Sequence, residues 1–362
     1  MERPPHRIML LSTNGAGLGH LTRLMAIARR LPSSTSVVIV TESLAAPLVH
    51  KAGFLTEYIT SRKYSELLRD RWNRYYHRRL RHLILCHQPD LVAFDGVVPY
   101  SGLLRAIGDN PDVTWLWIRR AMWKVGKGQE WVERGKRFDH VLEPGDFAEA
   151  VDRGVTVQDR AAAHRVGPIT LLDRDDLLPR VQARQTLGLV GDDPTALIQL
   201  GAGNINDVQT TAGGIAAHLL RRGVRVVVAQ SPIARTALDV PAGAMVVNLY
   251  PLSRYLRAFD FAVSAAGYNS FHELISFGVP SVFVPNENTA YDDQVTRVRY
   301  AADMGAARWS PDPTSTESLD SILDPVVQKA LSERCLELSP ANGAQAAANW
   351  VAELISRPGS GA

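Results

Sequence analysis

The sequence has few cysteines, little net charge and no long apolar run. Two cysteines in 362 residues, Cys86 and Cys335, are too few for a disulfide scaffold or a four-cysteine zinc site. The net charge of +3 does not by itself indicate nucleic-acid binding, so no nucleic-acid partner is expected. No apolar stretch reaches the roughly 18 residues of a membrane span, and the apolar run near the N-terminus is too short for a signal peptide. These absences predict a cytoplasmic protein without an integral membrane segment.

The composition and the rhythm of the chain indicate an α/β protein. Hydrophobic residues make up 46% and charged residues 21% of the chain, which excludes a disordered protein, a fibre and a coiled coil. Short apolar runs alternate with longer mixed segments, a pattern typical of parallel sheets covered by helices on both faces. The predicted strands are Arg7–Ser12, Val37–Val40, Asp90–Phe94, Thr114–Ile118, His140–Leu142, His164–Val166, Ala196–Leu200, Val224–Ala229, Met245–Asn248, Phe261–Ser264 and Ser281–Val284.

The chain divides into two similar series of strands. Each series opens with a glycine-rich turn, which favours two doubly wound, Rossmann-like domains facing a central cleft. Turn and breaker signals between Val166 and Pro194 place the boundary there. We predict an N-terminal domain over residues 1–166, a C-terminal domain over 167–342 and a last helix within 343–362.

The first glycine turn leads from a predicted strand into a predicted helix and ends in His20. A dinucleotide fingerprint needs glycine at that sixth position, so a nicotinamide or flavin site is only an alternative here. Ligands of open α/β sheets bind at the carboxyl ends of the strands, and an imidazole there can accept a proton near neutral pH. We predict that His20 is a general base; an ordinary first-turn histidine is the other interpretation.

Four further residues are candidates for this site. Asp95 ends a predicted strand, so its carboxylate could orient the imidazole, although a turn aspartate before a glycine would have the same spacing. Arg119 and Arg120 close the next strand and either bind an anionic acceptor or face solvent. Trp123 belongs to a tryptophan-rich stretch that we expect to mix core with the wall of an acceptor pocket.

Residues 259–300 carry the densest pattern of polar and small residues. A strand leads into Gly267 and a helix, whose first N–H groups suit a diphosphate. Glu273 lies one turn into that helix, where a carboxylate can accept both hydroxyls of a ribose. Asp293 and Gln294 follow on a later loop and suit sugar hydroxyls. A well-capped helix and a polar surface loop are the alternative interpretation.

This segment resembles the donor-site signature of the GT-B glycosyltransferases, in particular the plant-type UDP-glycosyltransferases and the peptidoglycan N-acetylglucosaminyltransferase. The loop before His20 resembles the N-terminal glycine loop of that superfamily, and Leu200–Asn204 resembles its phosphate-side loop. The residues that match the plant-type pattern in order are Gly267, Asn269, Ser270, Glu273, Gly278, Pro280, Asp293 and Gln294.

The resemblance implies an inverting, metal-independent transfer of a sugar from a nucleotide diphosphate, most directly a UDP-sugar, to an acceptor hydroxyl or amine. The nucleotide sugar is a co-substrate, and neither a cofactor nor a metal site is expected. His20 would act as the base with Asp95 as its partner, and the last helix would cross back to the first domain. Backbone near Leu249 would pair with the nucleotide base. The other donor contacts implied are Gly17, Gly19, Gly201, Ala202, Gly203, Asn204, Ala266, Gly267, Tyr268, Asn269, Ser270, Glu273, Asp293 and Gln294.

The sequence also departs from the plant-type pattern. Ala265 replaces its phosphate-binding histidine, and Tyr268 and His272 replace a tryptophan and a leucine. We therefore expect the leaving-group charge to fall on backbone N–H groups and on a cation such as Arg23 or Arg235.

Several functions remain open alongside a UDP-sugar transferase. A nucleotide-sugar hydrolase shares the pattern G-x-G-H-x-x-R of Gly17–Arg23, and a UDP-sugar 2-epimerase, a dTDP-deoxysugar transferase and a non-enzymatic nucleotide-sugar-binding partner share parts of the pattern. The acceptor is either a small molecule or lipid-linked. Residues 62–82 contain eight Lys or Arg. They form either a solvated helix or a face toward an anionic acceptor or a membrane, so peripheral membrane contact is the alternative to a purely cytoplasmic location.

Overall fold

A computed structural model describes residues 6–13, 18–201, 208–234, 237–309 and 315–356. The chain forms two compact units. Unit one comprises Met1–Gly145, Arg153–Leu171 and Asn342–Ala362, and unit two comprises Asp146–Asp152 and Leu172–Ala341. Against the predicted boundaries after residues 166 and 342, the chain changes unit after Leu171 and after Ala341, and a short segment from the first half packs with unit two.

Unit one is built on a parallel sheet covered by helices. Its strands are β1 (His6–Ser12), β2 (Thr35–Thr41), β3 (Leu55–Tyr58), β4 (Leu91–Asp95), β5 (Thr114–Ile118), β6 (His140–Pro144) and β7 (His164–Val166). Its helices are α1 (Gly19–Ala28), α2 (Ala46–Lys51), α3 (Arg62–Ser65), α4 (Arg69–His87), α5 (Ser101–Asp109) and α6 (Gln129–Gly135). The described strands lie in the order β3-β2-β1-β4-β5-β6-β7, and every pair is parallel.

Unit two repeats this plan. Its strands are β8 (Thr195–Gln199), β9 (Arg225–Ala229), β10 (Met245–Val247), β11 (Phe261–Ala265), β12 (Ser281–Val284) and β13 (Arg308–Trp309), in the order β10-β9-β8-β11-β12-β13. Its helices are α7 (Arg180–Thr186), α8 (Val208–Arg221), α9 (Tyr268–Ser276), α10 (Gln294–Asp303), α11 (Glu317–Ser321) and α12 (Pro325–Leu338). The predicted fold class, two doubly wound α/β domains, is confirmed.

The strand order reverses once in each sheet. In unit one the reversal lies between β1 and β4, where Ser12 pairs with Asp95. In unit two it lies between β8 and β11, where Gln199 pairs with Ser264. Loops that leave such neighbouring strands turn to opposite faces of the sheet, and the space between them is where doubly wound proteins bind ligands.

The core of unit one contains several large aromatic side chains, and one of them, Trp117, donates through Nε1 to the carbonyl oxygen of Gly96 just after β4. Trp115, Trp117 and Trp123 are at most 2% exposed, and the Trp117 and Trp123 rings meet edge to face with centroids 6.4 Å apart. Large rings bury about 150–250 Å² each, so they stabilise this end of the sheet strongly. The core of unit two is aliphatic, with α8 packed on β8 and β9.

The last helix, α13 (Ala344–Ser356), belongs to unit one. It packs on α1, and its Trp350 stacks on His164 with ring centroids 4.2 Å apart. At its start Gly343 lies so close to the backbone of Gly167 that no larger residue fits. This contact anchors the beginning of the helix.

Candidate active site

His20 lies in the first turn of α1, directly after the carboxyl end of β1. Its Nδ1 is 2.7 Å from Oδ1 of Asp95, the last residue of β4. Asp95 is fully buried, whereas 16% of the His20 side chain is exposed. When Nδ1 carries the proton, its N–H donates a hydrogen bond to Asp95. Nε2 then keeps its lone pair and can accept a proton from a substrate.

Arg23 fixes the carboxylate that holds His20. Its Nε donates to Asp95 Oδ2 at 2.7 Å and its Nη2 donates to Oδ1 at 2.6 Å, which is the two-pronged geometry of a strong ion pair. Burial alone would raise the pKa of Asp95, but Arg23 and the His20 hydrogen bond together hold that pKa below its usual value. Asp95 therefore stays ionised at neutral pH.

The electrostatics of His20 favour the neutral imidazole. Burial lowers the pKa of His20 below 6.5, and the positive charges of Arg23 and Arg120 lower it further, while the hydrogen bond to Asp95 acts in the opposite direction. The net result is a pKa below the ordinary value. At neutral pH the group is thus available as a base.

The three predicted acceptor residues do not lie together. Arg119 is 2% exposed and donates to Glu143 at 3.2 Å, and Trp123 is 2% exposed within the aromatic core. Their burial weighs against direct contact with an acceptor, because both side chains fill the interior of unit one. Arg120 is half-buried, and its charge reaches His20, so it remains the predicted acceptor contact.

In unit two the predicted diphosphate loop lies between β11 and α9. Gly267 is the N-cap of α9 with extended backbone angles (φ −63°, ψ 147°), and a Cβ placed there would meet no described atom within 4 Å. Ala266 and Tyr268 on either side are buried, while Asn269 and Ser270 in the first turn are half-buried. The first N–H groups of a helix lack partners within it, so this end of α9 suits an anion.

Glu273 lies in the second turn of α9 and is half-buried. Burial raises the pKa of Glu273 from 4.5 to about 7, although the neighbouring Ser253 hydroxyl acts in the opposite direction. A carboxylate held at this cost to stability is typical of a functional site.

Asp293 and Gln294 have structural partners of their own. Asp293 is the N-cap of α10 and accepts from the backbone N–H of Thr296 at 3.1 Å. Gln294 accepts from the N–H of Asn286 at 2.9 Å and donates to Asp292 at 3.1 Å. Both residues therefore shape the loop after β12, and contact of either with a sugar stays a prediction.

Arg297, which the sequence patterns do not indicate, contacts several segments of this region. The side chain is fully buried on α10 and donates to Asp146, to Asp292 and to the carbonyl oxygen of Ala266. Burial alone would raise the pKa of Asp146, but the charge of Arg297 and its hydrogen bonds hold that pKa below its usual value. No local pattern signals this residue, because Asp146 precedes it by 151 positions.

His272, which replaces a leucine of the plant-type pattern, has a structural explanation. It is buried, its Nδ1 donates to the carbonyl of Tyr268 at 2.7 Å, and its Nε2 accepts from the N–H of Phe147 at 3.1 Å. The ring is therefore neutral and joins α9 to the segment Asp146–Asp152.

The remaining predicted donor residues are placed only in part. Gly19 begins α1, Gly201 follows β8 with a positive φ of 92°, and Leu249 follows β10 as a half-buried residue. Gly17, Ala202, Gly203, Asn204 and Arg235 lie outside the described residues. Arg23, expected as a cation for the leaving group, instead pairs with Asp95.

Two kinds of feature are absent from the described residues. None of the described helices is both long and apolar enough to span a bilayer. In the same ranges no cluster of three or more His, Cys, Asp or Glu side chains is arranged to hold a metal ion.

Comparison with known proteins finds similarity to glycosyltransferases. Residues 243–354 match the glycosyltransferase family 28 C-terminal domain. A UDP-N-acetylglucosamine--N-acetylmuramyl-(pentapeptide) pyrophosphoryl-undecaprenol N-acetylglucosamine transferase of Saccharopolyspora erythraea is 31% identical over 264 residues, 69% of this chain and 64% of the relative. A protein of the same name from Clavibacter sepedonicus is 26% identical over 52% of this chain and 53% of the relative. The chain thus spans less than two thirds of the length of either relative.

Solved structures show the same architecture. The spinosyn rhamnosyltransferase SpnG has a TM-score of 0.64 at 18% identity, over 96% of this chain and 99% of that one. The calicheamicin glycosyltransferase CalG4 has a TM-score of 0.64 at 18% identity, over 97% and 98%. The chain therefore has the GT-B fold. MurG of Acinetobacter baumannii, at a TM-score of 0.57 and 15% identity over 96% and 99%, shares the GT-B fold as well.

Replacing Glu273 by Gln should stabilise the protein and weaken nucleotide binding. An acid whose pKa is about 7 when folded and 4.5 when unfolded loses stability as the pH rises between those values. We expect the free energy of unfolding of Glu273→Gln to exceed that of the wild type by on the order of 2 kcal/mol at pH 8 and to match it at about pH 4, below both pKa values, in urea unfolding. UDP affinity should fall at least about tenfold, because a charged hydrogen-bond acceptor is lost. A variant that is less stable at pH 8 would contradict this prediction.

Replacing Gly267 by Ala should leave the fold intact and impair anion binding. The backbone angles at Gly267 suit alanine and the space is open, but alanine is a poorer N-cap than glycine, so the free energy of unfolding should fall by only about 1 kcal/mol. The added methyl group would meet a diphosphate approaching α9, and calorimetry should show a loss of UDP affinity of at least about tenfold. Gly214→Ala is the matched control, because Gly214 is exposed on α8 with equally open space. Unchanged UDP affinity in Gly267→Ala would refute the diphosphate assignment.

Proposed function

We propose that this protein is an inverting, metal-independent glycosyltransferase that moves a sugar from a UDP-sugar to an acceptor hydroxyl or amine. The observation that carries the proposal is the hydrogen bond of 2.7 Å between His20 Nδ1 and Asp95 Oδ1. It orients the imidazole with Nε2 as the basic atom. The family 28 domain and the relatives named as N-acetylglucosamine transferases support a nucleotide-sugar donor.

In the proposed reaction the acceptor gives its proton to Nε2 of His20 as its oxygen or nitrogen attacks the anomeric carbon. The bond between that carbon and the diphosphate oxygen breaks, and the electron pair leaves with the nucleoside diphosphate. A single displacement of this kind inverts the anomeric centre. Asp95 stabilises the imidazolium that forms. The N–H groups at the start of α9 would receive the charge of the leaving group.

The nucleotide of the donor has two candidates. The relatives named above are UDP-N-acetylglucosamine transferases by name, which favours UDP. Among the structural neighbours, SpnG is known in complex with thymidine diphosphate and VinC in complex with dTDP, which keeps a dTDP-sugar as the alternative. We propose UDP because the sequence relatives share more identity with this chain than the structural neighbours do.

We also propose that unit one makes peripheral contact with a membrane carrying anionic lipid. Leu68, at the N-cap of α4, is 75% exposed, and Leu67 beside it is 37% exposed. The exposed basic residues around them and along α4 are Arg62, Lys63, Arg69, Arg71, Arg74, Arg78 and Arg81. Apolar tips flanked by arginines are typical of surfaces that dip into an anionic bilayer. A cytoplasmic protein with this surface would suit a lipid-linked acceptor.

The decisive experiment on activity compares the wild type with His20→Ala and Asp95→Asn. Each protein is incubated with UDP- and dTDP-sugars, with and without a panel of hydroxyl and amine acceptors, and with and without EDTA. We expect UDP binding in all three, EDTA-insensitive transfer in the wild type, and a loss of about 10²–10⁴-fold in His20→Ala. As the pH falls, kcat/KM should decline first near pH 7, where Glu273 becomes protonated, and again below 6.5, where His20 becomes protonated.

Other outcomes would change the assignment. Rapid, His20-dependent release of free sugar without an acceptor would identify a nucleotide-sugar hydrolase, in which the same base activates water. Full activity of His20→Ala would refute the role of the base. Failure to bind any nucleotide would refute the donor site itself.

Membrane contact is tested with vesicles. The wild type should sediment with vesicles containing phosphatidylglycerol and much less with pure phosphatidylcholine, and salt should weaken the binding. The double variant Leu68→Ser, Arg71→Gln should lose most of this binding. Val181→Ser, at an exposed valine of α7, is the matched control and should bind as the wild type does. Equal sedimentation of all proteins would contradict the assignment of this surface.

A further inference from the structure

A buried arginine joins two loops of the proposed donor site. Arg297 is fully buried, and its Nη1 donates to the carbonyl oxygen of Ala266 at 2.9 Å. Its Nη2 donates to Oδ1 of Asp292, also at 2.9 Å. Ala266 directly precedes the N-cap of α9, where the diphosphate is proposed to bind, and Asp292 lies in the loop between β12 and α10. One guanidinium therefore contacts both loops.

The contact continues into the loop between β12 and α10. Oδ2 of Asp292 accepts from Nε2 of Gln294 at 3.1 Å, and Oε1 of Gln294 accepts from the N–H of Asn286 at 2.9 Å. The hydroxyl of Thr289 donates to the carbonyl of Asp292 at 2.6 Å. Hydrogen bonds within this loop thus hold it together, and Asp292 and Arg297 connect it to the diphosphate loop.

Asp146 holds the guanidinium in place from another side. Its Oδ2 lies 2.9 Å from Nε and 2.8 Å from Nη2 of Arg297, and both side chains are fully buried. A buried ion pair is a poor source of stability, since well-packed apolar residues of the same volume stabilise a protein as much or more. What an arginine adds is fixed geometry toward several acceptors at once.

We propose that Arg297 is a positioning residue that couples the diphosphate half of the donor site to its sugar half. This inference rests on the proposed function. By holding the Ala266 carbonyl and Asp292 together, Arg297 sets the distance between the start of α9 and the loop that carries Asp293 and Gln294. A donor whose diphosphate and sugar match that distance binds with both halves at once. In this proposal Arg297 contacts both loops but neither the diphosphate nor the sugar of the donor.

The test measures whether the two halves respond separately. Dissociation constants for UDP and for UDP-N-acetylglucosamine are measured by calorimetry in the wild type, Asp292→Asn, Arg297→Lys and the double variant. Asparagine keeps the volume of Asp292 but cannot accept from both Arg297 and Gln294. In Asp292→Asn we expect UDP affinity within about twofold of the wild type, and a rise of at least about fivefold in the ratio of the UDP-N-acetylglucosamine to the UDP dissociation constant.

The double variant and a matched control separate coupling from stability. Because both single variants break the same connection, the ratio in the double variant should not exceed that of Arg297→Lys. Arg184→Lys is the control, since Arg184 is also buried in unit two but donates to Thr195, Ala258 and Gly191 at the amino ends of β8 and β11. It should lower the unfolding midpoint and leave the ratio unchanged.

Three other results would contradict the coupling role of Arg297. An unchanged ratio in Asp292→Asn and Arg297→Lys, with UDP binding intact, would overturn the coupling and leave the proposed function standing. An equal loss of both ligands, in step with the unfolding midpoint as in Arg184→Lys, would assign Arg297 a purely structural role. A wild type that binds neither UDP nor UDP-N-acetylglucosamine would first overturn the proposed UDP-sugar donor and, with it, this inference.

Discussion

The reversal of strand order in each parallel sheet is the constraint on which both candidate sites depend. Parallel strands need crossover connections of one hand, so the neighbours of a central strand send their helices to opposite faces of the sheet. The chain leaving β1 and the chain leaving β4 therefore diverge, and His20 and Asp95 meet in the space between them. In unit two the same geometry places Gly201 after β8 and Gly267 after β11. Each candidate site therefore lies at the point where the strand order of its sheet reverses.

Buried arginines fix the orientation of the carboxylates near those sites. Arg23 donates to both oxygens of Asp95 and thereby fixes the orientation of the carboxylate. In that orientation Asp95 accepts a hydrogen bond from His20. Arg297 holds Asp146 in a similar way while it also reaches the Ala266 carbonyl. Removing a charge from water is costly, and only a complete set of partners offsets the cost. A side chain with five donors in a rigid plane provides such a set, which a lysine would not.

The sequence was sufficient for the fold and for the His20–Asp95 contact, because chain order and strand ends determine which residues meet. Arg23 could also have been inferred, since a spacing of three places it on the same face of α1 as His20. Arg119 and Trp123 could not be assigned to the interior, because sheets covered on both faces show no polar alternation. Arg297 depends on partners from distant segments, and only the folded chain brings them together. The strands β3 and β13 escaped prediction because neither contains an apolar run: β3 reads Leu-Thr-Glu-Tyr, and β13 has only two residues, Arg308 and Trp309.

The replacement of a phosphate-binding histidine by Ala265 changes how the proposed reaction would respond to pH. Neither Arg23 nor Arg297 supplies the missing charge, because carboxylates already neutralise both. The leaving group would then depend on backbone N–H groups at Gly267 and the first turn of α9, and small residues at 265–267 allow close approach. Backbone amides do not titrate. Among the described donor and base residues, the pH dependence would therefore be set by His20, which must be neutral, and by Glu273, which is ionised only above about pH 7. Protonation of either residue lowers the rate of the proposed transfer. As the pH falls, Glu273 should be protonated first, which weakens donor binding, and His20 should be protonated at lower pH, which removes the base.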